Sequence, residues 1–410
     1  MVSPFMPDAE KLAAVRAALP SLASGIQLNT GSCGPMPVDA VAAMTQLVEY
    51  ERDIGRADAA YYEELLVRID EARAAVAAVI GGELDEVGLT HATTDGMNHG
   101  TWAIDWHPGD VAVTTTHEHA GALGPLYAIR DRLGVELRFA DFDGSAPEAE
   151  ILAAFDRAIA PGTRLVSFSH VLWTTGTVLP VERIAALAHE RGAVVIVDGA
   201  QAAGAIPVRV ADLGIELYAV PAQKWLLGPE GMGALWASRD FIVAAEPSFG
   251  GHFAMASYDS EGSVHLFDDA RRFQASPFHR PSVVAMARAI GWLTMFVGLE
   301  FVFRRGAAMA RLAADRLAAI DNVTLLTPRD RMAGLVSFRI GGWPAQAALE
   351  ELAARTFAVA RVVPLVDALR ISIGCWTTEH ELDRFLDGVR LLSTHTPEQL
   401  PARRVLSVVS

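Results

Sequence analysis

The chain has 410 residues, of which 51% are hydrophobic, and its 34 basic and 49 acidic residues give a formal net charge of −15. This length allows a large domain and a smaller one, each with its own core. The acidic surplus opposes nucleic-acid binding, and the total of two cysteines excludes a disulfide scaffold and zinc sites of the CxxC type.

The sequence has no segment typical of a membrane or secreted protein. No uninterrupted apolar stretch reaches the roughly 18 residues of a membrane-spanning helix, and residues 1–8 lack the basic and apolar regions of a signal peptide. We therefore expect a soluble, globular protein located in the cytoplasm, without a membrane partner.

Short apolar runs alternate with helical patterns in the first part of the chain, and helices such as residues 121–133 and 148–159 separate the early strands. The seven predicted strands are residues 87–90, 110–115, 136–139, 165–169, 194–198, 217–220 and 233–236. This alternation predicts an α/β fold with a mostly parallel sheet and helices on both faces. Ligands of such a sheet bind beyond the carboxyl ends of its strands.

The pattern changes near residue 281, where long amphipathic helices are predicted at residues 283–296 and 304–320, followed by a mixed region of strands and helices. An earlier helix is predicted at residues 10–19, and residues 395–410 are expected to form a peripheral tail. We predict an N-terminal segment that packs on the small domain, a large domain, and a smaller α+β C-terminal domain, which span residues 1–24, 25–282 and 283–410.

Lys224 and Asp198 point most directly to a reaction. Asp198 ends the apolar run at residues 194–197, and Lys224 follows in a turn framed by glycine and proline. A lysine amine can bind the aldehyde carbon of pyridoxal phosphate (PLP), and an aspartate can keep the pyridine nitrogen of that cofactor protonated. An isolated loop lysine is more often a solvated surface residue, so the neighbouring motifs decide between the two interpretations.

The run Thr93-Thr94-Asp95-Gly96 joins a predicted strand to a predicted helix. Free backbone N–H groups at a helix start bind phosphate, and the hydroxyl groups add donors. An ordinary capped helix start has the same pattern.

His117 and His119 alternate around Glu118, so they share one face of a strand and raise the question of a metal site. No third ligand follows at metal spacing. We therefore predict no metal.

These motifs together are similar to the class V aminotransferase family of fold type I PLP enzymes, which includes cysteine desulfurases, cystine lyases and isopenicillin N epimerase-like proteins. The resemblance covers most of the chain, from about residue 28 to residue 385, and it rests on Val197-Asp198-Gly199-Ala200-Gln201, Gln223-Lys224-Trp225 and Gly228-Pro229. It implies a fold type I PLP-dependent transferase, a small-molecule amino-acid substrate, and a homodimer with active sites near the interface.

The resemblance also assigns a role to each candidate residue. Lys224, His119 and Asp198 are implied to be catalytic, with the imidazole stacked on the pyridine ring. Arg370 is implied to bind the substrate carboxylate bidentately, next to Asn29 and Trp173. The residues implied in cofactor binding are Thr93, Thr94, Asp95, Gly96, His119, Asp198, Gln201, Gln223 and Lys224.

Several positions depart from the pattern of cysteine desulfurases. Pro221 and Gln223 replace a serine and a histidine in the lysine turn, and Trp173 replaces an asparagine near the ring, which implies a more apolar pocket. Many relatives extend a Gly-Thr-Pro turn to the partner subunit's phosphate, and here Ser276 or Arg280 could take its place.

The cysteine that a desulfurase needs shortly before the substrate arginine is absent, since residues 341–369 contain none. We expect Cys375 to be buried beside Trp376, and Cys33 lies in the wrong place to accept sulfur. A desulfurase that forms a protein persulfide is therefore disfavoured.

The resemblance is strongest to the cystine lyase branch. It implies β-elimination from cysteine- or cystine-like amino acids, which yields pyruvate and ammonia. A class V aminotransferase would use the same residues and remains the main alternative, beside isopenicillin N epimerase-like, cysteine desulfurase-like and sulfoxide lyase reactions. A protein that binds PLP without catalysis is disfavoured because Lys224, Asp198, His119 and Arg370 are all present.

Overall fold

A computed structural model describes residues 2–247 and 249–401. Within these ranges the α-helices are α1 Asp8–Ala17, α2 Val38–Ile54, α3 Ala59–Ile80, α4 Thr93–Trp102, α5 Ala120–Leu133, α6 Glu148–Ala158, α7 Val181–His189, α8 Arg239–Ala244, α9 Arg280–Gly291, α10 Leu299–Ala318, α11 Ala345–Thr356 and α12 Glu379–Ser393. The strands are β1 Ile26–Gln27, β2 Val87–Thr90, β3 Val111–Thr115, β4 Glu136–Ala140, β5 Thr163–Ser169, β6 Val194–Asp198, β7 Leu217–Pro221, β8 Gly233–Ala237, β9 Met255–Tyr258, β10 Val264–Leu266, β11 Val323–Leu325, β12 Leu335–Ile340, β13 Ala358–Val359, β14 Arg361–Val363 and β15 Ala368–Ser372.

A seven-stranded sheet forms the centre of the fold, in the order β2-β8-β7-β6-β5-β3-β4. β8 runs antiparallel to both of its neighbours, and the other pairs are parallel. The central strands are buried along nearly their whole length because helices cover both faces. The predicted α/β architecture, with a mostly parallel seven-stranded sheet and helices on both faces, is confirmed.

A second hydrophobic core surrounds a four-stranded sheet of order β11-β12-β15-β14. Its strands pair antiparallel, and α10, α11 and α12 contribute apolar side chains to the same core. The N-terminal helix α1 is joined to this unit, since the guanidinium group of Arg16 donates to both carboxylate oxygens of Glu381 at 2.8 and 2.9 Å.

The three domain limits stay a prediction. Helix α9, which crosses the predicted limit at residues 282 and 283, packs its Val283, Met286 and Ile290 into the core of the large sheet. A short π-helix at Trp292–Val297 follows α9, so the predicted α-helix at residues 283–296 is interrupted. Residues 402–410 of the predicted tail lie outside the described residues.

Helix α4 lies directly against the sheet because two glycines remove the side chains that would keep it away. A Cβ atom at Gly96 would lie 2.7 Å from the Cβ of Ala219, and one at Gly100 would lie 2.7 Å from Ile196. The helix start at Thr93 is thereby held at the carboxyl end of the central strands.

No single helix in the described ranges is long and apolar enough to cross a membrane. One bent pair of helices, Arg280–Val297 and Leu299–Ala318, is long and apolar enough when its two halves are taken together, by length and composition only. The two halves meet at an angle of 85°.

Candidate active site

A cavity of about 220 Å³ opens at the carboxyl end of the central strands, between the large and the small sheet. The side chains and backbone groups that line it are Gly31, Ser32, Ala92, Thr93, Thr94, His119, Gly121, Trp173, Asp198, Ala200, Gln201, Pro221, Gln223, Lys224, Arg361 and Arg370. Most of the residues implied by the sequence are therefore brought together in one cavity.

Lys224 and Asp198 both line this cavity. Burial lowers the pKa of Lys224 to about 8, against the attraction of Asp198, which raises it. Asp198 ends β6, and its Oδ1 accepts a hydrogen bond from the backbone N–H of Ala200 at 2.8 Å. A lysine amine with this pKa is partly neutral near pH 7, as a nucleophile or proton acceptor must be.

His119 is fixed by the helix that follows it. As the N-cap of α5 it accepts the backbone N–H of Gly121 on Nδ1 at 3.1 Å. Its ring meets the ring of Trp173 edge-on, with 5.8 Å between the centroids. Burial and the charge of Lys224 lower the pKa of His119, so the ring is neutral and carries its proton on Nε2.

Arg370 is fully buried on β15. Its Nη1 donates to the backbone carbonyl of Trp173 at 2.8 Å, whereas Nε and Nη2 have no partner within the described part of the chain. Burial and the neighbouring Arg361 lower the pKa of Arg370 to about 9. Unpaired donors on a buried cation are costly, so this fork of two N–H groups is built for an anion such as a carboxylate.

Arg361 is a site residue that the sequence analysis missed. It lies opposite Arg370 in the antiparallel pair of β14 and β15, and both side chains line the cavity. Its Nη1 donates to the hydroxyl of Ser32 at 3.0 Å, and its guanidinium carbon lies 5.7 Å from the ring centroid of Trp173. In the sequence it resembles any strand arginine, and only the strand register places it here.

The four residues of the predicted phosphate turn divide into two pairs. Thr93 and Thr94 line the cavity at the first turn of α4, and the buried Oγ1 of Thr93 has no partner among the described residues. Asp95 and Gly96 do not line it. The carboxylate of Asp95 accepts the backbone N–H of His91 at 3.0 Å, and Gly96 permits the packing of α4 on the sheet.

The amide side chain of Gln201 is held on both sides. Its Nε2 donates to the carbonyl of Gly31 at 2.8 Å, and its Oε1 accepts from the indole N–H of Trp225 at 3.0 Å. Because an amide nitrogen carries two N–H bonds, one remains for a ligand. Gln223 lines the same cavity. Its backbone carbonyl accepts a hydrogen bond from the backbone N–H of Gly34 at 2.7 Å.

Three other candidates lie outside the lining of the cavity. Asn29 forms an isolated bridge with Ser372, which is two residues after Arg370 on β15. Arg280 lies over the ring of Tyr61 at 4.3 Å, and Ser276 lines a separate cavity. Within the described ranges no group of three or more His, Cys, Asp or Glu side chains could hold a metal ion.

The sequence matches the family "Aminotransferase class-V" over residues 30–385. The chain belongs to this family. Class V enzymes depend on PLP, and the cavity fits that cofactor on its own evidence. It combines a threonine hydroxyl at a helix start, with no partner in the described part of the chain, and a buried lysine of lowered pKa with a carboxylate and a neutral histidine.

Curated relatives of this class V enzyme include cysteine desulfurases. The chain is 30% identical over 338 residues to a probable cysteine desulfurase of Mycolicibacterium paratuberculosis, a match that covers 79% of this chain but only about half of the relative, 49%. A cysteine desulfurase of Haloferax volcanii is 30% identical over 383 residues, which cover 89% of this chain and 88% of that protein.

Two solved structures of C-DES align with 92% of the class V chain at 26% identity. One is a mutant with glycine covalently linked to the PLP cofactor, with a TM-score of 0.86 over 98% of that chain. The other is a complex between the cystine C–S lyase C-DES and its reaction product cysteine persulfide, with a TM-score of 0.85 over 100% of that chain.

Proposed function

We propose that this enzyme is a PLP-dependent carbon–sulfur β-lyase that acts on cystine-like amino acids. With cystine and one water molecule, β-elimination would give pyruvate, ammonia and cysteine persulfide. The proposal is supported by similarity to C-DES, whose structure contains cysteine persulfide, and by the residues that line the cavity.

The observation that carries the proposal is the pair of guanidinium groups on β14 and β15. Cystine carries two carboxylates, one on the reacting half and one on the departing half. Arg370 offers a fork of two N–H groups that have no hydrogen-bond partner among the described residues, and Arg361 lines the same cavity at the register position opposite. Two carboxylates would relieve the repulsion between these like charges, which one carboxylate does only in part.

Each of the other residues has a role that its surroundings support. PLP, when bound, withdraws electrons from the amino acid and makes its α proton acidic. Lys224 would take that proton on Nζ, for which its pKa of about 8 is suitable. Asp198 would hold the pyridine nitrogen protonated, and the neutral ring of His119 would lie against the cofactor.

The thiol groups favour a lyase over a desulfurase, since a desulfurase attacks the substrate sulfur with a thiolate. Cys375 is buried, and burial raises the pKa of its thiol to about 12. The exposed Cys33 has its pKa raised by partial burial and by Glu230. Neither thiol lines the cavity.

The decisive experiment incubates the purified PLP enzyme with cystine, without an added keto acid. We expect catalytic release of pyruvate, measured with lactate dehydrogenase, and of an equal amount of ammonia. A double variant Cys33→Ser, Cys375→Ser should turn over at a similar rate. Transfer of the amino group to a keto acid, with no pyruvate from any sulfur amino acid, would identify an aminotransferase instead.

We further propose that the enzyme is a cytoplasmic homodimer. Helix α2 exposes Val41, Val48 and Ile54, and α3 exposes Leu66 and Val67, so the two helices present apolar side chains to solvent. Apolar groups of this kind are typical of interfaces. The two free cysteines suit a reducing compartment.

A further inference from the structure

Glu118 is a buried carboxyl group that the proposed reaction does not use. It is 2% exposed, its Oε1 accepts the hydroxyl of Thr115 at 2.6 Å, and its Oε2 accepts the hydroxyl of Ser169 at 2.5 Å. A carboxyl group buried without hydrogen bonds would be costly. These two bonds therefore favour one geometry of the side chain.

The two bonds connect elements that end beside the active site. Thr115 is the last residue of β3, and Ser169 is the last residue of β5. Ser169 is in register with Asp198 at the end of β6. Glu118 thus joins two strand ends, one of which lies next to the strand that carries Asp198.

The residue after Glu118 is His119, which lines the cavity and caps α5. Because a peptide unit is planar and nearly rigid, a fixed Glu118 restricts where the imidazole of His119 can lie. Glu118 does not line the cavity, so any effect on the cofactor must pass through neighbouring residues.

The electrostatics agree with a supporting role near Asp198. Burial raises the pKa of Glu118 to about 7, the two hydroxyl groups oppose the rise, and the charge of Asp198 adds to it. Glu118 is therefore partly protonated at neutral pH, and it places less than a full negative charge beside Asp198.

We propose that Glu118 is a positioning residue: by joining Thr115 to Ser169, it holds His119 and Asp198 at fixed places in the cofactor cavity. Its role concerns the binding and environment of PLP. It is independent of whether the enzyme is a lyase or an aminotransferase.

The test compares Glu118→Ala with Glu118→Gln. We expect the alanine variant to bind PLP about tenfold more weakly, the equivalent of one lost bond to a charged group. At saturating PLP its visible absorption band should also shift. The glutamine variant should retain most of the affinity and the native band, because its amide can accept from one hydroxyl and donate to the other. Titration of the apoprotein with PLP, followed by absorbance, gives both quantities.

Thr116→Ala is the matched control. Thr116 belongs to the same turn, but its hydroxyl donates to the exposed side chain of Asp141 at 3.1 Å. This variant should keep the native PLP affinity and spectrum. A loss equal to that of Glu118→Ala would show that any weakening of the turn has the same effect, and it would overturn the proposal.

Thermal unfolding of the apoproteins separates positioning from stability. A Glu118→Ala variant with a lower Tm but the native PLP affinity and band would mean that Glu118 is only structural. If that variant does not fold, Thr115→Ala and Ser169→Ala each remove one of the two bonds. Both should show a smaller shift of the same band, and an unchanged band in both would refute the proposal.

Discussion

Lys224 combines burial with a lowered pKa, and the combination decides how the apoprotein responds to pH. With a pKa of about 8, roughly one amine in ten is neutral at pH 7, compared with fewer than about one in a thousand for an ordinary lysine. Only the neutral amine can attack the aldehyde of PLP. The burial of one side chain therefore prepares the site for its cofactor.

The rate of covalent PLP incorporation should follow this pKa. Below pH 8 the protonated amine cannot react, so the rate should rise about tenfold per pH unit and level off above pH 8. Stopped-flow absorbance after mixing apoprotein with PLP measures it. Lys224→Ala is the control and should form no covalent adduct on borohydride reduction. A rate that still rises steeply from pH 9 to pH 10 would show an unperturbed lysine.

The two arginines should differ in what they recognise. Arg370→Ala removes the fork of N–H groups and should cost about 1.5 to 3 kcal/mol in kcat/KM for every amino-acid substrate. Arg361→Ala should lower kcat/KM for cystine more than for S-methylcysteine, which has one carboxylate. Steady-state kinetics with both substrates checks this, with Arg329→Ala at an exposed ion pair as control. Equal losses for both substrates in Arg361→Ala would contradict the assignment.

Among the elements, the segment between β1 and α2 lies directly against the lysine turn. The N–H of Gly34 donates to the carbonyl of Gln223 at 2.7 Å. A Cβ atom at Gly34 would lie 2.3 Å from the carbonyl oxygen of Lys224. This contact leaves no room for a side chain, so a larger residue must displace one of the two segments.

Gly34→Ala should therefore loosen the site without destroying the fold. We expect the free energy of unfolding to fall by about 1 to 3 kcal/mol, together with faster release of PLP. Urea unfolding and loss of the visible band on dilution measure the two effects. Gly55→Ala, at a position with open space but a strained φ of 99°, should lower stability while leaving PLP release unchanged. If Gly34→Ala released PLP at the same rate as the native protein, the proposed role of this contact in holding the site would be wrong.

How far the sequence predicts an element depends on how local its cause is. The runs at residues 87–90 and 194–198 are apolar up to a polar last residue, and β2 and β6 have these same limits. The short π-helix after α9 and the two-residue pairing of β1 with β13 depend on packing between distant segments. Periodicity in the sequence does not encode such packing.

The residues of the site also divide into those that local sequence identifies and those that depend on packing between distant segments. Lys224, Asp198 and His119 lie in motifs that family resemblance identifies, and the structure brings them to one cavity. Arg361 and Glu118 could not be assigned in this way. The place of Arg361 depends on the strand register opposite Arg370, and the role of Glu118 depends on hydroxyl groups from two separate strands.

For the whole molecule, the exposed apolar side chains of α2 and α3 predict association of two copies. The double variant Val41→Glu, Val48→Glu places charges on this surface and should shift the dimer toward a monomer of 43.9 kDa. Light scattering after size exclusion measures the mass. Val243→Glu, at another exposed valine on α8, is the control. A native protein that is monomeric at micromolar concentration would refute the dimer.

The active site draws its groups from both hydrophobic cores. Asp198 ends a strand of the large sheet and Lys224 lies in the turn between its strands β7 and β8, whereas Arg361 and Arg370 lie in strands of the small sheet. An amino acid whose amine lies at Lys224 and whose carboxylate lies at Arg370 therefore joins the two units by its own bonds. Bound substrate should act as a cross-link between them, so that the two cores melt together in one cooperative transition when the site is filled.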